Sequence, residues 1–149
     1  MIKPNLFFPT PVWASKIDNY KETNEEMFQY IKKEQSNDQK GVLRSNVKGW
    51  HSKDFDLNDS GPKNFIKLIS PMIEQLIIDM DWENRKQSVK INNMWAIINS
   101  GGAANQRHQH GNSTISGAYY VRAPSNSGDI VFYDPRPAPV YSYPNSNNP

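Results

Sequence analysis

Cysteine is absent from the 149 residues. That excludes disulfides, thiolate zinc sites and a cysteine nucleophile together, and it agrees with a reducing compartment. No stretch approaches the ~20 consecutive apolar residues that a membrane span needs. The opening residues, Met1-Ile2-Lys3-Pro4-Asn5-Leu6, lack the apolar run of a secretory signal. A large excess of one charge is missing as well: 17 Lys and Arg stand against 15 Asp and Glu, and the basic residues form no run. Nothing here has the electrostatic footprint of a nucleic-acid or membrane-surface binder. The reading is a soluble cytoplasmic protein with no nucleic-acid partner and no membrane. Internal repeats are also lacking.

Aromatic residues, by contrast, are plentiful. Four Trp, seven Tyr and six Phe suffice for the core of one domain of this length. Pro9 and Pro11 exclude a helix interior, so residues 5–17 read as extended, with a short strand after the prolines. Residues 23–35 read as a helix: Thr23 and Glu26 have capping-box spacing, and Met27, Phe28 and Ile31 follow as an apolar stripe. Residues 42–60 form a polar connection in which Trp50 packs on the core and His51 reads as a surface or outer-layer group. Residues 62–81 read as the main helix, with Phe65, Ile66, Ile69, Met72, Ile73, Leu76, Ile77 and Met80 recurring every three or four positions. Pro62 suits its first turn, and Pro71 should kink it or split it at Ser70.

The second half reads as strands. Residues 88–99 place Val89, Ile91, Trp95 and Ile97 on one face and Met94, Ala96 and Ile98 on the other, so both faces of its second half should be covered. Gly101-Gly102 breaks it. Residues 114–123 and 128–133 are further strands, with a turn at 124–127 between them. The tail, residues 135–149, is rich in Pro, Asn and Ser and is expected to be poorly ordered.

Two of the three histidines, His108 and His110, lie one residue apart in Asn105-Gln106-Arg107-His108-Gln109-His110. On a strand, residues i and i+2 share a face, whereas a helix would splay them. Two imidazoles aimed at one point suit a mid-to-late first-row metal such as iron, copper or zinc. The plainer reading is a pair of solvated histidines in a Gly- and Asn-rich loop.

Helices first and short strands afterwards suggest α+β, with N-terminal helices packed on a partial double-stranded β-helix, or jelly roll. The motifs also resemble a known family. Phe8-Pro9-Thr10-Pro11-Val12-Trp13, Gly49-Trp50-His51-Ser52, Trp95 through Asn99, His108-Gln109-His110, Ser116-Gly117-Ala118-Tyr119-Tyr120-Val121 and Gly128 through Asp134-Pro135-Arg136 are similar to a group of iron(II)- and 2-oxoglutarate-dependent oxygenases, common in marine phages and bacteria and related to prolyl hydroxylases. The likeness is specific in the second half and weak in the first.

The resemblance implies a single oxygenase-like domain over residues 1–149: a helical part to about 86, a jelly-roll part over about 87–134, and the tail. It places the chain in the cytoplasm of a bacterium or a phage-infected host. It implies Fe(II), with 2-oxoglutarate chelating the metal and O2 as oxidant, so that decarboxylation of the cosubstrate is coupled to hydroxylation of a C–H bond. His108 matches the first ligand of the superfamily's His-x-Asp/Glu pair, and His110 stands where the carboxylate usually is. That departure keeps other metal chemistry open, including a cupin-like enzyme that does not use 2-oxoglutarate. Tyr119 and Tyr120 point to opposite faces of a strand, so only one can line the pocket and meet the cosubstrate. Asn99, or alternatively Asn93, could face inward, and Arg122 and Arg136 are candidate carboxylate clamps.

A second departure is that no histidine follows His110, where the superfamily has its distal ligand. Either the chain is a fragment whose missing end closes the barrel, or it is a shortened relative; an unfinished sheet would expose an edge, which favours the fragment. The substrate, small-molecule or peptidyl, is not legible. The reading from another class is a non-catalytic jelly-roll module, phage structural or sugar-binding, with incidental histidines.

Overall fold

The computed structural model describes residues 9–82 and 89–134. The N-terminal motif through Phe8, residue 88 of the expected third-quarter strand, the tail and Arg136 lie outside them.

Residues 9–17 carry no regular structure, and the strand expected after the prolines does not form. Ile17 is buried there, while Val12 and Trp13 stay exposed. Helix α1 spans Tyr20–Asn37. Its N-cap is Asn19, whose left-handed backbone (φ 56°) turns the chain into the helix without a side-chain cap. The helix thus begins ahead of Thr23 and Glu26, and both sit inside it. Glu26 instead accepts a hydrogen bond from Asn64 Nδ2 at 2.9 Å. The expected stripe does bury Met27 and Ile31.

The polar connection that follows contains two short strands, β1 (Asn46–Val47) and β2 (Trp50–His51). Helix α2, Ser60–Asp79, runs unbroken through Pro71; the split expected at Ser70 does not occur. Ser70 Oγ donates to the Ile66 carbonyl at 2.7 Å, the back-bonding open to a hydroxyl on a helix. Asp81 ends α2 in the left-handed region (φ 53°). Its N–H reaches the Ile78 carbonyl and that of Trp82 the Ile77 carbonyl, the paired bonds of a Schellman motif.

The two helices meet at Gly61, where an added Cβ would lie 3.1–3.2 Å from the Tyr30 ring. Tyr30 also packs edge-on against Phe55, with centroids 5.0 Å apart, and donates to Asp59 at 2.8 Å. Burial, reinforced by that carboxylate, pushes its phenol well above the usual range. Around this contact the core gathers Ile17, Met27, Ile31, Phe55, Phe65 and Ala96, with Trp50 packed against it.

Strand β3 (Ile97–Ile98) pairs antiparallel with β2, Trp50 opposite Ile98 and His51 opposite Ile97. The pairing continues irregularly: Ser52 N–H donates to Ala96 O and Phe55 N–H to Met94 O, while the buried Ser52 hydroxyl accepts from Ala96 N–H at 2.9 Å. Strand β4 (Ala104–Asn105) pairs antiparallel with β1, Asn46 opposite Asn105. Among the described residues the architecture is therefore mixed, two helices and two small antiparallel sheets.

Among the described residues of the expected 88–99 segment, regular strand is confined to Ile97–Ile98; the Met94-Ala96-Ile98 face turns to the core, while on the other face Ile91 and Trp95 are half-buried and Val89 and Ile97 exposed. Residues 114–123 and 128–133 form no strand. Ile130, Val131, Phe132 and Tyr133 are all more than half exposed.

Gly41 is a hinge of this arrangement. Its φ is +61°, and a Cβ there would overlap the His51 carbonyl and the Trp50 ring. Trp50 Nε1 in turn donates to the Asp38 carbonyl at 2.8 Å. Gly41→Ala is expected to destabilise the protein by more than the ~1–2 kcal/mol of a left-handed non-glycine residue, measured by urea denaturation. Gly101→Ala, with no atom within 4 Å of the new methyl, serves as the neutral control.

Candidate metal centre

The chain leaves β3 through Asn99 and turns at 100–103, where the Ala103 N–H donates to the Ser100 carbonyl. It pairs briefly with β1 as β4, and Gln106 N–H then donates to the Ser45 carbonyl at 2.7 Å. His108 and His110 follow just beyond this last tether. They are not on a strand, yet the geometry that a strand would have supplied is present. His108 Nε2 and His110 Nε2 face each other at 3.1 Å, with ring centroids 5.0 Å apart and planes tilted by 36°.

The outer nitrogens fix the rings. His108 Nδ1 lies 2.8 Å from the Gln106 carbonyl. A carbonyl oxygen only accepts, so this ring donates from Nδ1, and in its neutral form it offers a lone pair at Nε2. His110 Nδ1 lies 2.9 Å from Ser116 Oγ. Behind His110, Trp95 packs edge-on with centroids 5.4 Å apart, and His51 stacks on Trp95 at 5.8 Å. His51 is buried, with Nδ1 against the Ser52 carbonyl; of the two expected places, surface or outer layer, it takes the outer layer, one ring removed from His110. His108 is exposed and His110 half-buried.

These two donors fit a transition-metal ion. Metal–imidazole bonds of ~2.1 Å at a right angle would place two nitrogens about 3.0 Å apart. Both Nδ1 atoms already have partners, the arrangement that orients a ligating imidazole. Among the described residues no group of three or more His, Cys, Asp or Glu converges as a metal site, so the pair stands as two candidate donors with no third beside it.

The remaining candidates lie elsewhere. Tyr119 faces inward, against Phe65 with centroids 4.7 Å apart, and its hydroxyl donates to Asn24 Oδ1. Burial raises its phenol pKa. The same Asn24 amide donates to the Val121 carbonyl at 2.8 Å, so residues 119–121 are clamped to α1. Tyr120 points out and is exposed. Asn99 Nδ2 donates to Asn105 Oδ1 at 3.0 Å, and its carboxamide covers Gly49 so closely that a Cβ there would collide with it. Arg122 lies over the Phe28 ring, its Cζ 3.3 Å from the centroid, and pairs with Glu25 at 3.1 Å. Gln29 and then Arg122 hold that carboxyl below its ordinary value. Among the described residues, no hydrogen bond or ring contact joins Asn99, Tyr119 or Tyr120 to the histidine pair. Ser116 and Trp95, which do touch it, were visible in the sequence only as parts of a motif.

A model of the family described as "Putative 2OG-Fe(II) oxygenase" matches residues 93–149. No curated protein and no solved structure matches the chain. Over that stretch, a little more than a third of its length and inclusive of Trp95, both converging histidines and Ser116, the protein is similar to this oxygenase family.

Proposed function

We propose that the protein is a non-haem Fe(II)- and 2-oxoglutarate-dependent dioxygenase that hydroxylates a C–H bond of a small-molecule or peptidyl substrate, with His108 and His110 as two of its metal ligands. The observation that carries this reading is the 3.1 Å approach of the two Nε2 atoms, each ring held from behind through Nδ1. The family match over 93–149 supports the choice of iron and 2-oxoglutarate. When bound, iron supplies the activation of dioxygen and of the cosubstrate, chemistry that no side chain can perform.

The chain's own residues do the rest. Gln106 and Ser116 orient the imidazoles. Trp95 shields one side of His110 with an apolar edge, excluding water there. With two protein ligands, coordination positions stay open for the cosubstrate and a further ligand. Tyr120, exposed, and Arg136 are the residues we assign to the carboxylates of 2-oxoglutarate. Asn99 and Tyr119 would reach them only after giving up Asn105 and Asn24.

A second reading rests on His110 itself. An imidazole in place of the usual carboxylate leaves the site one negative charge short, as in cupin-like metal enzymes that do not use 2-oxoglutarate. Anaerobic titration separates the two. Adding 2-oxoglutarate to the Fe(II)-loaded protein should raise a weak visible absorption band. Iron that binds without the band favours the cupin-like reading, and failure to bind any divalent metal leaves the non-catalytic module.

A further inference from the structure

The two histidines are held by chemically different partners, and that difference has a consequence. Gln106 presents a carbonyl, which accepts only. Ser116 presents a hydroxyl, which can accept or donate by rotating its O–H. His108 is therefore confined to the Nδ1–H tautomer, while His110 is not.

With both rings neutral and no cation between them, the 3.1 Å contact requires one Nε2 to donate. His108 cannot, so His110 must carry its proton on Nε2 and accept the Ser116 O–H at Nδ1. With a cation between the rings, both Nε2 atoms must present lone pairs. The His110 proton then leaves Nε2 and one is taken up at Nδ1, exchanged through water, so the ring stays neutral. Ser116 rotates and accepts that N–H at the same 2.9 Å. A carbonyl in its place would favour only the second arrangement, and a methyl would support neither.

We infer that Ser116 is a positioning residue whose hydroxyl lets His110 exchange tautomers as metal enters, keeping the pair fully hydrogen-bonded in both states. The inference rests on the metal-binding reading of the pair. Ser116 is exposed, so its substitution should leave the fold intact.

The test reads the rings directly. Long-range proton–nitrogen NMR of the metal-free protein should show His108 as the Nδ1–H tautomer and His110 as the Nε2–H tautomer. Zn(II), used as a diamagnetic probe, should convert His110 to Nδ1–H and leave the tautomer of His108 unchanged. Ser116→Ala should weaken Zn(II) binding by about tenfold, the low end of losses seen when the outer partner of a ligating histidine is removed, and Ser116→Thr, which keeps the hydroxyl, should restore it. If His110 is already Nδ1–H without metal, or Ser116→Ala binds zinc like the parent while His108→Ala does not, the role of Ser116 is overturned and the metal reading stands. If zinc leaves both rings unchanged, the metal reading fails and this inference with it.

Discussion

Replacing His108 with alanine is expected to abolish divalent-metal binding and to leave the fold unchanged. The imidazole is exposed, and its contacts are with the Gln106 carbonyl and the His110 ring, so no core packing is lost. Exposed substitutions of this kind usually fall within about ±0.5 kcal/mol. The loss of binding should be far larger. Removing merely the outer hydrogen-bond partner of a ligand costs roughly 10–100-fold in affinity; removing one of the two proposed ligands should cost more than about 100-fold. Calorimetric titration with Zn(II) measures the affinity, and thermal denaturation of the metal-free variant checks the fold. Unchanged affinity in the variant would return the histidines to the status of solvated loop residues.

Phe65→Ala should have the largest effect on stability, about 3–5 kcal/mol as for other buried Phe truncations, against a total of about 5–15 kcal/mol for a domain. Phe65 is buried on α2 and carries the Tyr119 ring at 4.7 Å. Tyr119 and Val121 are held to α1 by Asn24, so this contact pins the segment that leads away from Ser116. The variant should therefore unfold at much lower urea and, where still folded, bind metal more weakly. Tyr119→Phe, which keeps the ring and loses only the bond to Asn24, should cost about 1 kcal/mol. A Phe65→Ala midpoint close to that of the parent would show that the segment is held by something else.

The helices were legible because their signal is local. Of the apolar recurrence, α2 buries Phe65 and Ile77 and half-buries Ile66, Ile69, Ile73 and Leu76, leaving Met72 exposed, and α1 buries Met27 and Ile31. The cap was misplaced because a backbone turn at Asn19 in the left-handed region outcompeted the Thr23–Glu26 pattern, and no sequence rule requires an uncapped start. Strands were over-read because alternation marks a face without supplying a partner. Met94, Ala96 and Ile98 found one in residues 50–55; Ile130 to Tyr133, equally suited to a strand, found no strand partner among the described residues, and Tyr133 instead lies under the Arg107 guanidinium at 4.6 Å.

The approach of the two histidines was legible for a related reason. Spacing of i and i+2 was taken to need a strand, yet the rings converge in an irregular stretch just past β4, because Gln106 and Ser116 aim them. Side-chain contacts such as Ser116 to His110, six residues apart, or the stack of His51 on Trp95, leave no periodic trace in a single sequence.

The central claim is that the two imidazoles bind one cation through Nε2. Electron spin-echo envelope modulation of Cu(II), which imidazole ligands accept, detects the remote nitrogens of ligating histidines. One equivalent of Cu(II) should give the combination lines of two imidazoles on one ion, and His108→Ala should lose them. A parent spectrum showing one imidazole or none would contradict the account.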